Sequence, residues 1–373
     1  MAVVAGEASG DLLAGLLLAG LRQRWPSLRA GGIGGPRMAA QGFDAWWPSD
    51  RLAVRGYVEV LRHYRGISRI REALAQRLLR DRPDAFIGVD APDFNLGLEA
   101  RLKSAGVPTV HFVCPSVWAW RGSRVRRLAD SADHVLCLFP FEPPLLSGHG
   151  VAATYVGHPL ADAIPLEPPR AAARAALGLP QTGRVVALLP GSRRSEIQYI
   201  APSLLQAARL MQQRDRELRF VLPLAPGLRP LVEPLAASSG VEGLQLLDGR
   251  SHEALAACDL TLIASGTATL EAALFKRPMV IAYRMHPLTW MLMKRMAYQP
   301  WFGLPNILAR DFLVPELIQE ACTPPALADA GMAWLDDAAR VVALAERFTD
   351  IHLQLRRDTA RCATDAIAQV LGR

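Results

Sequence analysis

Short apolar runs alternate with stretches of helical periodicity along most of the chain. Residues 2–5 form a continuous apolar run, and residues 11–25 carry apolar positions at helical spacing. The alternation returns as strand 85–90, helix 96–104 and strand 108–113, with further strands expected at 134–138 and 154–156. Uninterrupted apolar strands separated by helices predict a parallel sheet covered on both faces. Prolines then cluster between Pro159 and Pro180, including Pro165, Pro168 and Pro169, which marks a linker. A second series follows: strand 185–189, helix 196–214, strand 219–222, helix 228–237, strands 244–247 and 260–264, helix 268–275 and strand 279–283. From 324 to 373 the pattern is helical throughout.

The expected architecture is therefore α/β, with two consecutive Rossmann-like, doubly wound domains and C-terminal helices. The expected bounds are 1–165, 166–335 and 336–373, and the length of 373 residues suits two cores better than one. Ligands of such sheets bind beyond the carboxyl ends of the strands, so two facing domains would enclose a cleft there.

Composition narrows the classes. Apolar residues make up 51% and charged residues 21%, which is globular. The longest stretch free of Asp, Glu, Lys and Arg, from Pro143 to Ala161, is broken by prolines and glycines, so no spanning helix is expected. No basic segment followed by an apolar one precedes the first strand, so no secretory signal is expected. The five cysteines (Cys114, Cys137, Cys258, Cys322, Cys362) are scattered, without C-x-x-C or H-E-x-x-H, and read as reduced thiols with no metal site. The net charge of +7 rests almost wholly on arginine, the only lysines being Lys103, Lys276 and Lys294. Phosphate-bearing ligands and an anionic membrane surface are compatible with that balance; nucleic acid is not expected, because no nucleic-acid motif is present.

Candidate chemistry gathers where strands end. Gly6-Glu7-Ala8-Ser9-Gly10-Asp11 joins the first strand to a helix; it suits a ligand loop built on Gly6, Glu7, Ser9 and Gly10, or a plain turn capped by Ser9 or Asp11. It lacks both the dinucleotide fingerprint and the P-loop, as does Gly31–Arg37. Gly88-Val89-Asp90-Ala91-Pro92-Asp93-Phe94-Asn95 ends a strand on a carboxylate, and Asp90 is placed to accept a proton from a hydroxyl nucleophile. Asp93 is expected to cap the next helix. Cys114–Arg121 sets Trp118 and Trp120 beside Arg121, for stacking on a sugar, for a membrane interface, or for the core.

In the second series Pro190-Gly191-Ser192-Arg193 and Ser265-Gly266-Thr267 offer backbone donors, hydroxyls and a guanidinium at helix starts, which suits a diphosphate. Glu271, one turn further, can accept from ribose hydroxyls or serve as a cap. Two amphipathic segments, 58–67 (Val58, Val60, Leu61, Tyr64, Ile67 among arginines) and 285–302, fit an acyl or membrane surface or plain core.

These motifs together resemble the lipid-A-disaccharide synthases. Gly6–Asp11, Gly88–Asn95, Pro115–Arg121, Gly157-His158-Pro159, Leu189–Arg193, Ser265–Glu271 and Leu304-Pro305-Asn306 occur in that family's order and spacing over essentially the whole chain. The resemblance implies a GT-B fold, with transfer of 2,3-diacylglucosamine from UDP to 2,3-diacylglucosamine 1-phosphate (lipid X), inverting to a β-1,6 disaccharide. It implies Asp90 as general base and Arg193, Glu271 and Asn306 at the nucleotide. It also implies an acyl or membrane patch on 58–67, C-terminal helices exchanged in a homodimer, and peripheral residence on the cytoplasmic face of the bacterial inner membrane. Ser68 departs from the pattern, where an aliphatic residue would be expected. No cofactor is implied, and no D-x-D occurs to bridge a metal to the diphosphate. The rivals are a non-hydrolysing UDP-sugar epimerase of the same architecture and a lipid- or nucleotide-binding protein without turnover.

Overall fold

The computed structural model describes residues 1–6, 8–49, 52, 57–116, 124–285, 290–291 and 299–373, with only the backbone at 8, 57–65 and 124. The chain divides into two compact units, Met1–Asp162 together with Gln354–Arg373, and Ala163–Leu353.

The first unit is built on a seven-stranded sheet of β1 (Ala2–Ala5), β2 (Gly31–Gly34), β3 (Asp44–Pro48), β4 (Phe86–Val89), β5 (Thr109–Phe112), β6 (His134–Cys137) and β7 (Ala153–Tyr155). The order is β3-β2-β1-β4-β5-β6-β7, and every pairing is parallel. The central runs AVVA and FIGV are wholly buried, as strands covered by helices on both faces must be. Phe86, Leu74, Leu78, Leu98 and Leu102 close one face of this core.

Strands β2 and β3 were not expected. Gly31-Gly32-Ile33-Gly34 has poor strand propensity, and its conformation is imposed by a neighbour. A Cβ on Gly31 would lie 2.7 Å from the Trp46 ring, which packs over the strand from β3 and carries the Arg77 guanidinium 3.6 Å from its centroid. The glycines make room for an indole.

The second unit carries β8 (Val185–Leu189), β9 (Arg219–Leu224), β10 (Gln245–Asp248), β11 (Leu260–Ala264), β12 (Met279–Tyr283) and β13 (Glu316–Ile318), ordered β10-β9-β8-β11-β12-β13 and again parallel throughout. Strand β13 was not expected either; its three residues are only half-buried and too few to show a period. Arg174, fully buried, staples the helix Arg170–Ala176 by pairing with Asp259 at 2.7 Å and donating to the Ala257 carbonyl at 3.0 Å.

The expected third segment, 336–373, is not a unit of its own. The helix Ala338–Leu355 belongs to the second unit as far as Leu353, and the helix Thr359–Val370 packs on the helix Ala8–Arg24 of the first. Asp162 fastens this return, its carboxylate accepting from the backbone N–H groups of Arg357, Asp358 and Thr359 at 3.1, 3.0 and 2.8 Å. Among the described residues no helix is long and apolar enough to cross a membrane.

Each sheet reverses its winding once. In the first unit β1 and β4 are neighbours and their onward connections diverge; in the second, β8 and β11 do the same. Ligands of open α/β sheets bind at such switch points. Four of the motifs singled out in the sequence, at Gly6, Asp90, Gly191 and Ser265, follow these four strands.

Candidate functional site

At the second unit's switch point the loops after β8 and β11 border a cavity of about 460 Å³. Gly191, Ser192, Arg193, Ser265, Gly266, Thr267 and Glu271 all line it, with Glu196, Gly249 and Ser251 as neighbours the sequence had not singled out. Gly191 sits at φ 111°, where an L side chain is disfavoured and a Cβ would run into the Glu196 carboxylate. That carboxylate caps the helix Arg194–Arg214, accepting from the backbone N–H of Ser192 at 2.8 Å and of Arg193 at 3.1 Å. The Arg193 guanidinium is 3.4 Å from the other Glu196 oxygen and largely exposed, so it remains available to an anion.

Across the cavity Gly266 caps the helix Thr267–Leu274, with open space before it. No side chain caps this helix, so its first N–H groups and its dipole are presented to the cavity. Thr269 donates its hydroxyl to the Gly266 carbonyl at 2.8 Å, and Ser265 donates to the Phe302 carbonyl at 3.2 Å. Glu271 pairs with His252, Oε2 to Nε2 at 3.3 Å. The hydrogen bond that His252 donates to Glu271 raises the His252 pKa against the opposing effect of burial.

Asn306, expected at the nucleotide, is fully buried and does not itself line the cavity. Its amide donates to the Val314 carbonyl at 2.9 Å and to Glu316 Oε1 at 2.8 Å, and its oxygen accepts from the Val314 N–H at 3.1 Å. Glu316 in turn accepts from the N–H groups of Phe302 and Gly303 at 2.9 and 2.8 Å, and burial raises its pKa. Asn306 thus orders the segment whose Phe302 carbonyl meets Ser265 and whose Leu304 N–H meets Thr269. It stands one layer behind the cavity.

In the first unit Asp90 ends β4 half-buried, and it and Ala91 both adopt left-handed backbone, at φ 52° and 44°. Two consecutive non-glycine residues in that region cost of order 1–3 kcal/mol each and persist only where the surroundings enforce them. Asn95 does so: its buried amide donates to the Asp90 carbonyl at 2.8 Å and towards that of Val89 at 3.4 Å. The Asp90 N–H donates to the Phe112 carbonyl at 2.8 Å. The Asp90 carboxylate has no partner among the described residues.

The β1 turn abuts this strand end, a Cβ on Gly6 falling 3.3 Å from Ala91 Cβ and one on Gly10 falling 3.6 Å from the Val89 carbonyl oxygen. Ser9 is exposed. Asp11 is a cap, but of the neighbouring turn: it accepts from the N–H groups of Gly35, Arg37 and Met38 at 2.9, 2.9 and 3.1 Å. The expected cap Asp93 lies inside its helix, whose N-cap is Ala91.

Glu7, Trp118 and Arg121 lie outside the described residues, as do the side chains of Val58, Val60, Leu61 and Tyr64. The backbone of 58–67 lies in the helix Tyr57–Asp81, and Ile67, half-buried, packs against the first unit's core. No group of three or more His, Cys, Asp or Glu side chains among the described residues could hold a metal.

Known proteins agree with this arrangement. A solved UDP-GlcNAc 2-epimerase from Neisseria meningitidis, bound to UDP-GlcNAc, superposes with a TM-score of 0.65 at 12% identity, covering 99% of this chain and 98% of that one. WaaG, a glycosyltransferase involved in lipopolysaccharide biosynthesis, superposes at 0.58 and 15% identity over 98% and 99%. At such identities the likeness establishes the fold alone, the GT-B fold, which transferases and epimerases share. Sequence decides between them. A lipid-A-disaccharide synthase from Albidiferax ferrireducens is 60% identical over all of this chain and 97% of its own length. The family model described as lipid-A-disaccharide synthetase matches residues 1–370, and the chain belongs to that family of glycosyltransferases.

Proposed function

We propose that the chain transfers 2,3-diacylglucosamine from UDP to the 6-hydroxyl of 2,3-diacylglucosamine 1-phosphate, with Asp90 as general base and UDP held in the cavity of the second unit. The observation that carries this reading is the convergence of Gly191–Arg193, Ser265–Thr267 and Glu271 on one cavity at a switch point. Glu271 accepts from the ribose, while Arg193 and the start of the helix Thr267–Leu274 face the diphosphate. Asp90 takes the hydroxyl proton as that oxygen attacks the anomeric carbon. The new C–O bond forms as the bond to the diphosphate breaks, and UDP leaves with the electron pair.

Inversion follows from the single displacement. The charge that develops on the departing diphosphate is met by fixed dipoles and a guanidinium, the usual source of electrostatic stabilisation in such reactions. The bond between Asn95 and the Asp90 carbonyl holds the base at the strand edge through the strained pair. We place the enzyme peripherally on the cytoplasmic face of the inner membrane, where both acylated substrates reside. The net charge of +7 favours an anionic surface, and a homodimer with exchanged C-terminal helices is part of the same proposal.

The test is UDP release with and without the acylated acceptor. Wild type should release UDP only with acceptor present, and Asp90→Asn should release it ~10²–10⁴ times more slowly while binding UDP normally. Acceptor-independent release, or near-normal turnover in the variant, would refute the proposal.

A further inference from the structure

We propose that His252 is a positioning residue for donor binding, holding Glu271 by one carboxylate oxygen so that the other meets the ribose, and that it makes UDP affinity depend on pH. The inference rests on reading the cavity as a UDP site. No sequence motif marks His252; it lies in the helix Ser251–Ala257, whose first residue lines the cavity.

Three observations converge on it. Its Nε2 is 3.3 Å from Glu271 Oε2, and among the described residues it is the only side chain paired with that carboxylate. Its ring stands edge-on to Phe275, with centroids 5.3 Å apart, which fixes the imidazole plane. Its other side borders a second cavity of about 360 Å³, lined mainly by Ile164, Pro165, Pro169, Ala172 and Phe275, with Glu253 the other charged residue there. Glu271 is the mostly buried partner, its side chain 19% exposed against 48% for His252. A carboxylate so placed gains from a cation that directs it.

The other charged groups near the helix are engaged elsewhere. Arg250 pairs with Glu253 on the same helix. Arg170 and Arg174 are both held by Asp259, and Arg277 donates to the carbonyls of Leu255 and Ala256. Burial holds the Cys258 thiol un-ionised. On β9 the charged residue is Arg219, at the strand's exposed start. Glu271 alone raises the His252 pKa, so the protonated form persists above the ordinary histidine range and is lost as pH rises through the raised value.

Calorimetric titration with UDP from pH 6 to 9 tests this in wild type, His252→Ala, His252→Arg and Glu271→Gln. The terminal phosphate of UDP itself titrates near pH 6, so the quantity read is the ratio of variant to wild-type Kd at each pH. For a half-exposed pair the expected ratio for His252→Ala is roughly threefold at the acid end, falling to about one at the alkaline end. His252→Arg, charged throughout, should keep the tight acid-end affinity at every pH. Thermal melts confirm that each variant is folded. A His252→Ala ratio that is unity throughout, or constant with pH, overturns the inference while Glu271→Gln still weakens UDP. Unchanged UDP affinity in Glu271→Gln overturns the ribose reading itself.

Discussion

Replacing Asn306 with alanine separates a residue that touches ligand from one that supports the residues that do. The change strands the Val314 N–H and C=O in the interior and removes one of the three hydrogen bonds that Glu316 accepts. Each buried polar group left unpaired costs about 1–3 kcal/mol, and the three sites share one network, so about 3–5 kcal/mol is expected in all. For a domain of this size each kcal/mol lowers the melting temperature by roughly 2–4 °C, which predicts a fall of roughly 6–20 °C in the second unit's transition. UDP affinity, measured well below that transition, should weaken by less than about tenfold, because the loss reaches the cavity only through Phe302 and Leu304. Thermal melting followed by calorimetry on the same samples reads both quantities. An unshifted transition with UDP binding abolished would mean that Asn306 contacts the nucleotide directly, and that its buried network is incidental.

Two further outcomes follow from features of the first unit. Burial depresses the pKa of His158 from 6.5 to about 4, so the neutral ring contributes stability that is present above about 6.5 and lost as pH falls towards 4. His158→Gln should flatten this unit's acid unfolding across that window, and an unchanged acid limb would return the effect to other groups. Replacing Val60, Leu61 and Tyr64 with serine should abolish flotation with anionic liposomes while leaving the melting temperature and UDP binding intact. A collapsed melting temperature instead would assign these side chains to the core, where each such loss costs ~2–5 kcal/mol.

Most of the fold was legible wherever a segment's conformation is set by its own apolar run. The strands around β1, β4, β8 and β11 announce themselves because each is buried on both faces, and the ligand loops follow from where those strands stop. What stayed hidden is set by partners distant in sequence. Strand β2 exists because Trp46 packs on its glycines, and β13 exists because β12 offers it an edge. The bonds of Asn306 to Val314 and Glu316 stayed hidden for a related reason: a motif records that a residue matters, not which residues it holds. His252 had no motif at all, and only the fold sets it against Glu271. The final helix read correctly as a helix, but its destination depends on the Asp162 carboxylate, 197 residues before Thr359.

That return of the chain governs the order in which the molecule can assemble. The second unit is continuous in sequence, and once its last residue has left the ribosome it has every element of its core. The first unit has all seven strands of its sheet much earlier, yet the helix Thr359–Val370 that packs on its helix Ala8–Arg24 emerges after every one of them. Domains made N-terminal first usually fold first, but here the N-terminal unit must wait, with apolar surface uncovered, until the C-terminal one is complete. A chain truncated after residue 353 and released should therefore bind UDP while its amino-terminal half remains open to protease.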